Sequence, residues 1–380
     1  MHNNLRIRRT VLFLSAKSHL VLTCASLFTF VLVIGGCKNT STTVTTPPVV
    51  TTPVNTVFPP DFPAVVAPAN NPITPAKIAL GRALFYEKKL SVNGAQACAG
   101  CHSESSAFCD FGRPVSTGAL GIIMGGGNDS SKGGAVLRGG TRNAPGLANV
   151  AYNTSYFWDG RAATLEQQAL MPIQNPAELA NTLPVVVQTL ARDTMYQRLF
   201  TAAFGDPMVD TIRLAQAIAT FERTLISGYS AYDDYNRGNK TALSTSAIHG
   251  LTLFMSDSTN CSKCHSGFNF TDNKFHSTGL DQSYSDLGRI LITNQDQDNG
   301  SFKTPSLRNV ALTSPYEHDG RFTVLEQVIE HYNTGGMHNK AQDTLIKPLN
   351  LNNDQVEALV AFLESLTDKG FVTNSAFSAP

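Results

Sequence analysis

Two five-residue clusters constrain this chain more than anything else in it: Cys98-Ala99-Gly100-Cys101-His102 and Cys261-Ser262-Lys263-Cys264-His265. Both read CxxCH, the spacing that attaches a c-type haem. Two thiols one turn apart reach the two vinyl groups of one porphyrin, and the adjacent imidazole supplies an axial nitrogen to iron. Cys98, Cys101, Cys261 and Cys264 are therefore expected to hold two covalent haem c groups, with His102 and His265 as iron ligands. A zinc knuckle is the competing reading. It would need four ligands gathered locally, which neither cluster offers.

The chain also repeats itself. Residues 145–167 align without gaps to 305–327, with 12 identities in 23 positions at an offset of 160. The CxxCH motifs are offset by 163, and GxxLF precedes each, at Gly81–Phe85 and Gly250–Phe254. Each unit reads helix, CxxCH, long loop, PxLxNVA, DGR, helix. Thr164 with Gln167 and Thr323 with Glu326 have capping-box spacing and predict the helix after each DGR. Apolar residues at helical spacing predict closing helices over 210–227 and 353–366. Strand signals are sparse, so the expected fold is mainly α: two cytochrome c-like haem domains related by internal duplication, spanning 73–238 and 239–380.

The first 36 residues read as an export address. Arg6, Arg8, Arg9 and Lys17 precede an apolar run from Leu20 to Ile34 that ends Gly35-Gly36-Cys37. The run suits a signal peptide and is short for a membrane span. The ending resembles a lipobox, so Cys37 is the expected lipid anchor to the membrane on the periplasmic face of a Gram-negative-type bacterium. The Thr/Pro-rich residues 37–72 read as a tether. Beyond the leader the chain carries 25 basic against 29 acidic groups, which argues against a nucleic-acid partner.

Arg142-Asn143-Ala144-Pro145, the segment Phe157-Trp158-Asp159-Gly160-Arg161-Ala162, the later Gln174–Leu179 and the LRNVALTSPY segment with His318-Asp319-Gly320 together resemble the bacterial di-haem cytochrome c peroxidase/MauG superfamily over about residues 73–370. The resemblance implies a first haem that reacts with hydrogen peroxide and a second that relays or stores electrons. It places Trp158 between them, and Gln168 and Glu178 at the peroxide-facing side, where a carboxylate can carry a proton between the two oxygens. Asn143, Thr313 and Pro315 match an inter-domain Ca2+ site of oxygen donors. Tyr332 matches the far ligand of the second haem in the MauG-like branch. Helical phase puts Tyr332 on the apolar face of its helix with Leu325, Val328 and Ile329, while His331 points about 100° away. Met337 and His338 remain competing ligands.

The sequence departs from the classical peroxidases in one respect. They carry a loop His that blocks the first iron, and no His occurs between His102 and His249. Met124 is the sole soft candidate in that Gly-rich loop, so the first iron is expected to be open in the ferric protein. Cys109 has no assigned partner and reads as a buried structural thiol. His318, opposite Trp158 in the repeat, either tunes the second haem or bonds within the core.

Three functions follow from these expectations. One is a peroxidase drawing electrons from a small cytochrome c or cupredoxin. Another is a MauG-like enzyme oxidising a protein or other substrate through a high-valent di-haem state. The third is a non-enzymatic electron-transfer cytochrome. The resemblance also admits a homodimer.

Overall fold

The structure, a computed structural model, describes residues 58–120 and 142–380. The signal sequence, Cys37, most of the tether and Met124 lie outside the described residues. Among those described, no helix is long and apolar enough to cross a membrane.

The first half contains α1 (Pro75–Phe85), α2 (Leu165–Gln174), α3 (Leu183–Ala191), α4 (Thr194–Phe204), α5 (Thr211–Glu222) and α6 (Ala231–Asn236). The second contains α7 (Thr245–Phe254), α8 (Cys261–Cys264), α9 (Ile290–Thr293), α10 (Leu325–Thr334) and α11 (Asn353–Glu364). Between α8 and α10, β1 (Phe275–His276) pairs antiparallel with β2 (Phe302–Lys303). Local chemistry starts the helices. Thr74, Asp210 and Ser244 each accept a hydrogen bond from a backbone N–H in the first turn of α1, α5 and α7. Thr164 does the same for α2. The counterpart helix departs from expectation: α10 starts one residue later than Thr323 implies. Its N-cap is Val324, which has no acceptor, and the Gln327 carboxamide takes the Thr323 and Val324 N–H groups instead.

The duplication is visible in the packing. α1 crosses α5 in the first half and α7 crosses α11 in the second. Both crossings are so close that a Cβ on Gly81 would overlap the Ala217 carbonyl, and one on Gly250 the Ala358 carbonyl. The glycine of each GxxLF is thus a contact point between backbones. Gly250→Ala is expected to cost about 1–3 kcal/mol through overpacking, read as a lower unfolding midpoint in denaturant at unchanged slope.

Each PxLxNVA motif supplies a second repeated device. Asn149 and Asn309 adopt φ near +60° and are fully buried. Their N–H groups donate to the carbonyls of Leu225 and Leu366, which follow α5 and α11. Asn149 Oδ1 accepts from Ser227 N and Asn309 Oδ1 from Asp368 N, both at 2.8 Å. The loop that leads to each DGR is therefore fixed to the end of the closing helix of its own half.

Both ends of the described chain pack on this body. Phe62 is buried, with its ring centroid 4.7 Å from that of Phe268, and Asn71 is buried against Glu166. The last part of the expected tether, from residue 58, is therefore seated. At the other end, Phe371 and Phe377 join the core of the first half around Phe108. Arg82 of α1 donates to the Ser375 and Ser378 carbonyls.

Candidate active site

Each CxxCH forms a single turn in which the His N–H bonds back to the first Cys carbonyl, at 3.0 Å for His102 and 2.9 Å for His265. That turn aims both imidazoles inward. His102 Nδ1 lies 2.7 Å from the Phe108 carbonyl, and His265 Nδ1 lies 3.1 Å from the Phe270 carbonyl. Phe108 and Phe270 have φ of 61° and 50°, a conformation uncommon for an aromatic residue. Their fully buried rings hold it, and the peptide so turned presents its oxygen to the histidine. A carbonyl at Nδ1 fixes the proton there and leaves Nε2 free for iron. Burial holds both imidazoles below their ordinary value, so they are neutral and competent as ligands.

Both histidines open onto one cavity of about 1870 Å3, whose walls also carry Cys101, Cys261 and Cys264. Cys98 lies just behind, packed on the first-half core. Interiors are otherwise close-packed, and an ordinary ligand pocket occupies roughly 300–1000 Å3. A larger void edged by three thiols, with the fourth just behind its wall, and by two free imidazole nitrogens fits two porphyrins. Lys303 also lines it, and burial pushes that ammonium down to about 8, so an anionic carboxylate on the bound group would be a favourable partner.

The other residues singled out in the sequence meet around the same space. Trp158, Gln168 and Glu178 line it from the first half, Tyr332 from the second, and Asn143, Thr313 and Pro315 where the halves meet. Trp158 Nε1 donates to the Asn143 carbonyl at 2.9 Å, and the Trp158 carbonyl accepts from Lys303 N at 2.7 Å. Asn143 N in turn donates to the His318 carbonyl at 2.6 Å. The backbone of one residue, Asn143, thus connects Trp158 with its counterpart in the repeat. Asn143 Nδ2 donates to the Arg113 carbonyl, which fixes the amide.

Glu178 Oε1 accepts from Asn175 Nδ2 at 2.6 Å. Burial raises its carboxyl above the ordinary range, opposed by that hydrogen bond and by Arg161. Apart from His102, no histidine or methionine of the first half lines the cavity among the described residues. In the second half, Met337 is 57% exposed and neither it nor His338 reaches the cavity wall, whereas Tyr332 does. Burial holds the Tyr332 phenol well above its usual value. His331 is turned aside, its Nε2 3.0 Å from the Thr278 carbonyl.

Cys109 is buried, donates weakly to the Leu312 carbonyl at 3.8 Å and is pushed up to about 12 by burial, as a structural thiol should be. His318 is buried and stacked on Phe302, with ring centroids 3.7 Å apart. Its Nδ1 has no partner among the described residues.

Sequence reasoning passed over the scaffold of the Trp158 loop. Arg142 grips Asp286 through Nε and Nη2 at 2.6 and 2.8 Å and Asp159 through Nη1 at 2.6 Å. Arg289 donates to the carbonyls of Asp159 and Gly160. Arg142 and Asp159 both sit in quoted motifs, which was the available signal; Asp286 and Arg289 carried none.

Comparison with known proteins agrees with this geometry. The family described as di-haem cytochrome c peroxidase matches residues 75–241, and the family described as cytochrome c matches 247–367. The methylamine utilization protein MauG of Methylophilus methylotrophus is 35% identical over 304 residues, covering 80% of this chain and 86% of that protein. Cytochrome c551 peroxidase of Nitrosomonas europaea is 33% identical over 317 residues, with 80% and 86% covered. A solved MauG-like protein associated with microbial copper homeostasis superposes with a TM-score of 0.75 at 31% identity, covering 85% of this chain and 99% of that one.

Proposed function

The chain belongs to the di-haem cytochrome c peroxidase family, and from that membership we propose that it reduces hydrogen peroxide to water with electrons from a small cytochrome c or cupredoxin. It is a peroxidase-like oxidoreductase whose family carries two covalently bound haem c groups. Bound haem supplies the iron that takes up peroxide and the redox capacity to cleave its O–O bond. The protein supplies the proton path. Glu178 accepts the proton that peroxide loses and returns it to the departing oxygen, with Asn175 orienting the carboxylate and Gln168 offering a neutral amide on the wall of the same cavity. Trp158, bonded at its indole to Asn143 and at its carbonyl to Lys303, serves as the link between the halves. Tyr332 would join His265 in holding the second haem, its phenol lining the same cavity.

The observation that carries this reading is an asymmetry at matched places on the cavity wall: at the offset of 160, Gln168 of the first half stands where the second half has Val328, Tyr332 of the second stands where the first has Pro172, and Glu178 lines the cavity whereas its counterpart His338 does not. The test is the EPR spectrum of the fully ferric, unreduced protein together with steady-state peroxide consumption. One high-spin and one low-spin haem, and turnover with a reduced cytochrome c, are the expected results. Two low-spin haems with no turnover would overturn the reading.

A MauG-like role, in which the same site oxidises a protein or another substrate, is the second reading, favoured by Tyr332 in the cavity wall and by the MauG relatives. It predicts that peroxide is consumed only when an oxidisable substrate replaces the reduced donor. Export, a lipid on Cys37 at the periplasmic face, a Ca2+ held by Asn143, Thr313 and Pro315, and the domain boundary near residue 238 complete the proposal.

A further inference from the structure

Glu178 faces two spaces. Besides the large cavity, a cleft of about 330 Å3 is lined by Phe157, Arg161, Met171, Gln174, Asn175 and Glu178. Phe157, Arg161, Asn175 and Glu178 line both, so they form the partition between them. The outer rim is Met171, 36% exposed, and Gln174, also exposed; they lie three residues apart on α2. Arg161 lies over the Phe157 ring, its guanidinium carbon 3.5 Å from the centroid. Phe157 holds φ at 66°, a strained setting for an aromatic residue that fixes its ring beneath the guanidinium.

The duplicated half has a chain segment at the equivalent place. At the offset of 160, Arg321 corresponds to Arg161 and His331 to Met171. Arg321 is bound through Nη1 and Nη2 to Asp281, at 2.9 and 2.8 Å, and to the Leu280 carbonyl. His331 lies 3.0 Å from the Thr278 carbonyl. Segment 278–281 therefore lies across the equivalent position of the second half. Among the described residues, Arg161 has no carboxylate partner except its neighbour Asp159, at 3.1 Å, and its side chain is 30% exposed.

We infer that this cleft is the entry port for peroxide to the first haem, with the Arg161–Phe157 stack as its inner gate and Met171 and Gln174 as the rim that sets how large a hydroperoxide passes. The inference rests on the proposed reading, in which peroxide meets the first haem on the Glu178 side. Entry beside Glu178 brings the substrate to its proton acceptor before it reaches the iron. Small hydroperoxides are the class that fits a cleft of this size.

A gate is a barrier rather than a binding site, so narrowing it slows entry and exit alike and leaves the equilibrium unchanged. The experiment is stopped-flow binding of cyanide to the fully ferric holoprotein, in wild type, the rim-filling M171W/Q174W and the rim-clearing M171A/Q174A. Filling the rim is expected to lower the association and dissociation rates together by roughly tenfold with Kd unchanged, as gating requires. Clearing it should raise the reaction rate with tert-butyl hydroperoxide relative to hydrogen peroxide by several fold. Unchanged rates in both variants would overturn the port. So would a loss of affinity at constant dissociation rate, which marks a distorted pocket. Failure of the wild-type ferric protein to bind cyanide at the first haem would instead sink the peroxidase reading itself. Thermal unfolding and the low-spin signal of the second haem report whether the variants are folded.

Discussion

Glu178→Gln is expected to slow the reaction with hydrogen peroxide by about 10²- to 10⁴-fold, the usual contribution of a positioned general base. Gln keeps the side chain's volume and can still pair with Asn175, so both haems should remain attached and the ferric spectrum should be preserved. What disappears is the ability to take a proton. The pH dependence carries an independent signature. Burial raises the Glu178 carboxyl, and Asn175 and Arg161 oppose the shift without cancelling it. The carboxylate is the working form, so the wild-type rate should fall with decreasing pH while still above the range near 4.3 where an exposed glutamate titrates. The Gln variant should show no such limb. Stopped-flow rates from pH 4 to 8 decide the matter. A variant within about twofold of wild type, or one that keeps the acid limb, would remove Glu178 from the proton path.

Much of this site was legible in the sequence because covalent haem attachment demands adjacency. Thioether bonds and an axial nitrogen come from five consecutive residues, so no folding argument was needed to place Cys98, Cys101 and His102. The duplication then doubled every inference. α5 and α11 were legible for a local reason, since apolar spacing marks them and Asp210 and Asn352 cap them, although α5 ends at Glu222, five residues before the expected 227. Long-range geometry was not legible. Asp286 meets Arg142 across 144 residues, and Trp158 owes its setting to Lys303 on β2. The carbonyls that orient the histidines were hidden differently. They belong to Phe108 and Phe270, six and five residues beyond His102 and His265, so the two units differ by one residue there. The start of α10 was misplaced because Thr323 looked like a cap, whereas its neighbour Val324 takes that position and Gln327 does the capping.

The second haem offers the other large effect. α10 presents Leu325 and Ile329 to the core of the second half, and Tyr332 lies on the same face, at the cavity wall. Met337 and His338 follow the helix's end at Gly335 and point elsewhere. A phenolate is a hard anionic donor that favours ferric iron, whereas a thioether favours ferrous iron. Tyr332→Met should therefore raise the midpoint potential of the second haem by roughly a few tenths of a volt, within the ~0.8 V over which axial ligands act. Tyr332→Phe keeps the ring and removes the oxygen, so it should convert the second haem from low to high spin. Spectroelectrochemistry and ferric EPR read the two changes separately. An unchanged potential in the first variant and an unchanged low-spin signal in the second would assign the far ligand elsewhere. The same pair divides the two functional readings. A relay to a reduced cytochrome needs a second haem that accepts electrons readily, and a higher potential leaves that step favourable. Oxidation of a protein substrate needs oxidising equivalents to persist on the enzyme, and a ligand that no longer favours the oxidised forms should shorten their lifetime. Donor-dependent peroxide consumption that survives Tyr332→Met, with loss of any slow protein oxidation, is the pattern that a peroxidase with a stored second equivalent should give.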